Sequence, residues 1–475
     1  RQSARSWLIW FDQITRRFIG CKENLLDFIE TVVKQKDIKG SVCCDLFAGT
    51  ASVGKHFKKL GYKIISSDLL YFSYVLQKVY IEQNQYPKFE KLLKHLKINP
   101  VEETLFTSDS QNAREVIKYL NELEGEEGFI YKNYSPEGTK GQIYVRKYFT
   151  GDNAKRIDAI REKINEWKKE NLINEQEYFF LLCSLIEAVP FVANISGIYA
   201  AFLKEWDKRA FKKLTLEVPD IIKSNETHKV FNINGLDVLD QVKGIIDILY
   251  LDPPYNERQY APNYHILETI AKWDNPRIKG VTGMREYDEQ KSEFCNSKTG
   301  LIALERILEK QNYKHLILSY NSEGIMPEKE IITLLNEYGN VEVIEQDYQR
   351  FKSNGNGELK NKVKETLYYL KPIIQQNKLN DLMHNELIEV VAVNISELDL
   401  IKIAELINDC DAIVSCLGHN ISFKGLFGKP WMLVSDSIKN ICNAIERSKK
   451  DNVKLILMNT TANMNRKLQE EYSCK

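Results

Sequence analysis

Apolar residues fall in two rhythms along this chain. Short unbroken runs read as strands buried on both faces, and runs spaced at 3.6 residues read as helices. Runs of the first kind lie at residues 41–47, 62–67, 245–251 and 315–320, with a further strand expected around 231–237. Helical spacing covers residues 55–60, 89–96, 112–123, 176–188, 266–273 and 301–310. Residues 341–346 and 365–370 read as a closing antiparallel pair. Strands alternating with helices predict an α/β fold with one mostly parallel sheet and an antiparallel edge. The stretch 71–225 is too long for one crossover and predicts a largely helical insert.

The run 245–251 ends abruptly in Asp252, Pro253, Pro254 and Tyr255. Proline lacks the N–H that a central ladder needs, so the chain must leave the sheet here. That exit lies at the carboxyl edge, where open α/β sheets bind ligands. An acid, two rigid residues and an aromatic ring make a loop able to clamp something flat and polar; the alternative is a strand-end turn with a chance tyrosine. A second punctuation follows the run 41–47, where Gly49 and Gly54 bracket a small-residue turn before a helix. Strand, small turn and helix bring backbone N–H groups close to a ligand. The next strand ends at Asp68, the place where a ribose diol is commonly gripped. A packing turn would look similar. Gly54-Lys55 lacks the Ser or Thr of a phosphate loop, and the turn does not match Gly-x-Gly-x-x-Gly.

Composition narrows the class. The chain has 475 residues, 43% hydrophobic and 28% charged, with zero formal net charge. This is a globular composition with room for two or more domains. A neutral total offers no global field for nucleic acid, although a local groove can still be basic. Nine cysteines without a Cys-x-x-Cys pair predict reduced thiols and a cytoplasmic protein. No run is long and apolar enough to cross a membrane. The chain opens on Arg1 rather than Met, with no signal peptide in its first residues, as expected of a fragment or a processed product.

Taken together, the motifs resemble those of DNA adenine-N6 methyltransferases of the α order, most closely the adenine methylases of restriction–modification systems. Asp45-Leu46-Phe47-Ala48-Gly49-Thr50 resembles that family's S-adenosylmethionine loop, and Phe18-Ile19-Gly20-Cys21-Lys22 the segment before it. Asp252-Pro253-Pro254-Tyr255 resembles the catalytic loop. The likeness covers roughly residues 16–372, with the insert 71–225 as the DNA-recognition region. Ala51 stands where the family often has Gly, and Cys21 where it usually has Ser. Ala51 costs little at negative φ but would be strained at positive φ.

The resemblance implies a Rossmann-like sheet, S-adenosyl-L-methionine as cofactor, double-stranded DNA as partner, a possible cognate restriction endonuclease and no metal. It implies roles too: Asp68 for the ribose, Asp45 near the amino group, Phe47 and Gly49 in the cofactor turn, Asp237 or a neighbour near the adenine ring, and Gly20 and Lys22 near the methionine end. Asp252 and the Pro253 carbonyl would accept hydrogen bonds from the target amine, and Tyr255 would stack on a flipped base. Asn256, Arg258, Tyr260 and Tyr264 follow closely in the same loop.

Aromatic and basic residues mix in two stretches of the insert, a pattern suited to phosphate contact with stacking. The first holds Tyr144, Tyr148, Phe149, Asn153, Arg156 and Arg161; the second holds Phe202, Lys204, Trp206, Lys208 and Arg209. Arg350 and Lys352 lie in a basic loop between the closing strands. Arg156, Lys204, Lys208, Arg209, Arg350 and Lys352 are the expected DNA contacts. A solvated helix face is the plainer reading of the insert segments. RNA adenine or protein glutamine methylation, or a non-catalytic DNA-binding relative, remain open as other functions. No separate nuclease-like cluster is legible, so no cleavage activity is expected.

Residues 376–475 change character. Strand-like runs at 387–393, 411–416 and 453–458 alternate with helical ones at 401–408 and 435–448. The pattern resembles part of an atypical short-chain dehydrogenase or epimerase-like domain. It has no Gly-rich opening and no Tyr-x-x-x-Lys, so dinucleotide binding is not expected, and His419 reads as a loop residue.

Overall fold

The structure, a computed structural model, describes residues 22–100, 109–322, 324–349, 362–373, 412–415, 443 and 454–457. The chain divides into two units, Arg1–Ile374 and Gln375–Lys475. The first is built on a seven-stranded sheet. Its strands are β1 (Val42–Asp45), β2 (Lys63–Ser67), β3 (Lys229–Phe231), β4 (Ile246–Leu251), β7 (Tyr313–Asn321), β8 (Gly339–Gln349) and β9 (Lys362–Pro372), while β5 (Ile278–Lys279) and β6 (Met284–Arg285) form a small separate hairpin. The spatial order is β3-β2-β1-β4-β7-β9-β8. Neighbours from β3 to β7 are parallel, and β9 runs antiparallel between β7 and β8. This is the mixed α/β sheet expected from the sequence.

The period-two alternation of a strand explains how the sheet is covered on both faces. Cys44, Leu249 and Leu316 point into one core, with Leu304, Ile307 and Leu335 from helices. Cys43, Ile248 and Ile317 point into the other, where Ile29, Val32 and Val33 of the helix Leu26–Gln35 meet them at helical spacing. All six residues of β4 are buried, so the polar groups that follow it must emerge at its end.

The chain turns in opposite directions from β1, to β2 on one side, and to β4 on the other. Such a reversal leaves a crevice at the carboxyl ends of the two strands. The register places Asp45, the last residue of β1, opposite Tyr250, two positions before Asp252.

Helices dominate between β2 and β3, as expected of the insert. The longest is Gly151–Lys169, and Glu175–Ala188 packs beside it. Asn174 and Glu177 form a reciprocal capping box at the start of the latter, and Glu177 also accepts from the Phe89 N–H. Trp167, Phe180, Leu182 and Ile186 centre a core that reaches Ile266 and Ile270 beyond the Asp252–Tyr255 loop. The insert is therefore packed into the unit that carries the sheet.

One expected strand shortens. Residues 231–237 do not form a single strand: β3 stops at Phe231 and the Asn234 side chain caps the Leu236 N–H, starting the helix Gly235–Gln241. Among the described residues no helix is long and apolar enough to cross a membrane.

In the second unit β10 (Ala412–Ser415) pairs in parallel with β11 (Lys454–Leu457). The expected elements at 387–393 and 401–408, that at 435–448 apart from Asn443, and His419 lie outside the described residues.

Candidate active site

The crevice between β1 and β4 opens into a cleft of about 1110 Å³, open mouth included. Lys22, Asp45, Phe47, Gly49, Asp68, Asp252 and Pro254 all line it. The sequence-derived residues from three distant segments thus converge.

The turn after β1 explains one wall. Asp45 accepts from the Phe47 N–H at 3.2 Å, and the Ala48 N–H donates to the Ser67 carbonyl at 2.9 Å. Gly49 has φ +51° and Ala51 has φ +60°, so the turn winds through the left-handed region twice. A Cβ at Gly49 would meet nothing within 4 Å, so conformation, not space, calls for glycine there. Ala51 meets the same demand with a side chain and is fully buried. It therefore sits in the costly case, strained by about 1–2 kcal/mol. The helix that follows, Ser52–Lys59, has no side-chain cap.

Asp68 braces this turn. Its carboxylate accepts from the Gly49 N–H and the Leu70 N–H, each at 2.8 Å. Burial raises its pKa to about 6 against those bonds. Asp45 is raised further, to about 8, by burial first and by the nearby Asp252 charge next. Asn234 and Gly235 complete the far wall, and a Cβ at Gly235 would lie 2.9 Å from the Leu46 carbonyl oxygen. Only glycine lets that helix start so close to the turn after β1.

Asp252 faces Lys22 at 3.2 Å, and the lysine also donates to Glu365 on β9. The Ser319 hydroxyl on β7 donates to the same Glu365 oxygen at 2.8 Å. The contact with Asp252 is an ion pair that falls short of a well-directed hydrogen bond, although the lysine lowers the Asp252 pKa through it, and among the described residues no other donor is aimed at the buried Oδ1. Burial pushes Asp252 up to about 6, Lys22 opposes this, and Glu365 adds to it. For Lys22, burial alone would depress the ammonium, but Asp252 and Glu365 outweigh it and hold its pKa well above the usual lysine value.

Pro253 is buried and Tyr255 half-buried, and neither lines the cleft. Lys22 lies 5.8 Å from the centre of the Tyr255 ring, which meets Tyr320 edge-on at 6.3 Å. Tyr260 and Tyr264 do line the cleft, whereas Arg258 is exposed and its N–H bonds to Asn256. Gln259 and Ser292 exchange two hydrogen bonds, through the Ser292 N–H at 2.7 Å and the Ser292 carbonyl at 3.1 Å, tying the loop down. Gly20 lies outside the described residues.

Several expected roles need revision. Asp237 is exposed on the helix Gly235–Gln241 and outside the cleft lining, because the cap at Asn234 turns it outward; Asn234 and Gly235 occupy the wall instead. Arg156 is spent on the backbone: its guanidinium donates to the carbonyls of Asn121, Leu123 and Leu214. It clamps the insert and is not presented to a phosphate. Tyr148, Phe149 and Arg161 are core residues, Arg161 bonding to the Ile270 and Ala271 carbonyls.

The second basic stretch is differently built. Asn153 and Asn194, both buried, hold residues 203–214 through backbone bonds at Leu203, Asp207, Ala210, Lys212 and Leu214. Lys204 and Lys208 stand exposed on this anchored loop. Trp206 and Phe211 pair at 5.6 Å, with Phe211 65% exposed. Arg209 is partly committed to Asp207. Arg350 and Lys352 lie outside the described residues.

Comparison with known proteins places these features in a family. A model of the D12 class N6 adenine-specific DNA methyltransferases matches residues 18–334. The chain is 43% identical over 385 residues to Type II methyltransferase M.FokI of Planomicrobium okeanokoites, covering 79% of this chain and 55% of that protein. It is 37% identical over 378 residues to Modification methylase StsI of Streptococcus sanguinis, covering 78% and 54%. Against Type II methyltransferase M.NlaIII of Neisseria lactamica it is 35% identical over 356 residues, covering 74% of this chain and 97% of the relative. The chain thus spans about half the length of the first two. No solved structure matches it significantly. With the family match spanning both the Asp45 turn and the Asp252 loop, the chain belongs to the D12 class of N6 adenine-specific DNA methyltransferases.

Proposed function

We propose that this chain transfers a methyl group from S-adenosyl-L-methionine to the N6 amine of an adenine flipped out of a specific site in duplex DNA. The observation that carries the reading is the shared cleft, which has Asp45 and Asp68 on one wall and Asp252 of the Asp-Pro-Pro-Tyr loop on the other. Its chemistry fits the cofactor. Asp68 stands where a ribose diol is held, Phe47, Leu70 and Phe72 offer apolar surface, and buried carboxylates suit a ligand with cationic groups. Bound there, S-adenosylmethionine supplies a methyl group already activated on a sulfonium.

The residues of the chain would then align and polarise. An exocyclic adenine amine is a weak nucleophile because its lone pair is delocalised into the ring. Asp252 and the Pro253 carbonyl accept its two N–H bonds and favour a nitrogen with an available lone pair. Two prolines fix these acceptors and limit the entropy lost on alignment. Asp252 would be the group toward which the amine gives up its proton as it takes the methyl group. Tyr255 stacks on the extruded base. Lys204 and Lys208 grip phosphates from their anchored loop, joined by the basic residues Arg350 and Lys352 and with a minor share for Arg209. As in a modification enzyme, the product would protect a site from a cognate endonuclease.

The test is transfer from labelled S-adenosylmethionine to unmodified duplex DNA, with the digest analysed for N6-methyladenine. Label in adenine that disappears in Asp252→Ala supports the reading. Label in RNA or in a protein amide instead would overturn it.

A further inference from the structure

Glu365 is absent from every site role drawn from the sequence, yet it touches the centre of the site. It lies on β9, paired with Asn321 of β7, and is buried together with Lys22. Its Oε1 takes the Lys22 ammonium and the Ser319 hydroxyl together. Lys22 therefore has two carboxylates within reach but a directed hydrogen bond to only one of these two. The other, Asp252, keeps an acceptor atom that, among the described residues, has no well-directed donor beyond the ion pair with Lys22.

We propose that Glu365, steadied by Ser319, is a positioning residue that draws the directed bond of the Lys22 ammonium to itself, leaving the lysine paired with Asp252 by charge alone, and so keeps the Asp252 carboxylate open for the target amine. The proposal rests on the reading of Asp252 as the acceptor in methyl transfer. Without Glu365, the ammonium has one carboxylate left to bond, and it would occupy the lone pairs that the adenine amine needs. A cation seated on Asp252 would also make the carboxylate a poorer proton acceptor. The charged and titratable groups around Asp252 are Lys22 from the segment before the first helical turn, Asp45 from β1, Tyr250 from β4, Tyr255 and Tyr260 from its own loop, and Glu365 from β9. Of these, Glu365 opposes the Lys22 charge and is bonded directly to it, and its removal shifts Asp252 to lower pKa.

Two measurements on Glu365→Gln and Ser319→Ala test this. The first is the pH profile of kcat for methyl transfer. The second is the pH dependence of binding of sinefungin, a cofactor analogue with an amine in place of the methyl sulfonium, whose cation reads the charge of Asp252 without turnover. In Glu365→Gln, kcat should fall by roughly tenfold to a hundredfold. The acid limb in both profiles should move down by about half a unit or more. S-adenosylhomocysteine affinity at neutral pH should stay within about threefold of wild type, less than a 1 kcal/mol change. Ser319→Ala should move the limb the same way by less, and Glu365→Asp should restore part of the rate. A purely structural role would lower stability and leave the limb in place, and that result in either folded variant overturns the proposal. An inactive wild type would sink the methyl-transfer reading instead, while the sinefungin titration would still decide whether Glu365 governs Asp252.

Discussion

Asp247, near the amino end of β4, accepts from the Ser41 N–H at 2.7 Å, the Val42 N–H at 2.9 Å and the Lys314 ammonium at 2.7 Å. Asp252, just past the carboxyl end of the same strand, has one shared lysine and a buried oxygen with no well-directed donor among the described residues. Burial opposes ionisation at Asp247, but Lys314 and the two backbone donors outweigh it and hold that carboxyl below its ordinary value. At Asp252 burial wins, and the pKa rises to about 6. The same type of side chain, at the two ends of one strand, ties the sheet together in one case and faces the cleft in the other. The difference is the number of donors, and it can be altered at either end.

The largest effect is expected at the open end. Asp252→Ala should cut methyl transfer by on the order of 10²–10⁴-fold with little loss of stability, as followed by single-turnover kinetics beside thermal melting. The same residue sets a pH dependence. Its carboxylate accepts only while ionised, so kcat should fall as pH drops below about 6 and level off above it. A flat profile through that range would erase the contrast.

Asp247→Ala should do the reverse. Buried donors at Ser41, Val42 and Lys314 lose their acceptor, costing about 1–3 kcal/mol of stability while activity per folded molecule survives. Because the folded pKa is lowered, this contribution is present above the ordinary carboxylate pKa and fades as pH falls through the folded value. Denaturation curves of Asp247→Asn and wild type should therefore begin to converge only as pH falls below about 4.

Smaller effects sharpen the same contrast between committed and available charges. Lys204→Ala with Lys208→Ala should reduce the salt slope of DNA binding by about two, one for each phosphate no longer neutralised. Arg156→Gln should lower stability without a change in that slope, since its donors already serve three carbonyls. The least effect is expected at Ala51→Gly, where relief of about 1 kcal/mol of left-handed strain is offset by about 0.8 kcal/mol for the missing buried methyl. A melting temperature shifted by many degrees would mean that the turn stores more strain than its φ implies.

The supply of donors also marks what a sequence can and cannot disclose. Asp45, Asp68 and Asp252 are legible because each ends an apolar run, and a polar residue at the carboxyl edge of a buried strand has few places to go. The helical insert is legible from its spacing. Arg156 and Lys208 look alike, because mixed aromatic and basic residues write the same string whether the cation faces solvent or a row of carbonyls. Asp237 falls outside the site because the strand stops early, at Phe231, and the cap at Asn234 starts a helix in its place. Glu365 carries no local signal at all: its partners lie on another strand and at the far end of the unit, and only the sheet order brings them together.

That last pairing has a consequence for how the protein is made. Lys22 and Glu365 are 343 positions apart. At roughly 5–20 residues per second, a ribosome exposes the turn after β1 and the Asp-Pro-Pro-Tyr loop some seconds before β9 emerges. Through that interval Lys22 has no Glu365 to hold it, so a nascent chain can own every residue named in the motifs and still lack the geometry of the finished site.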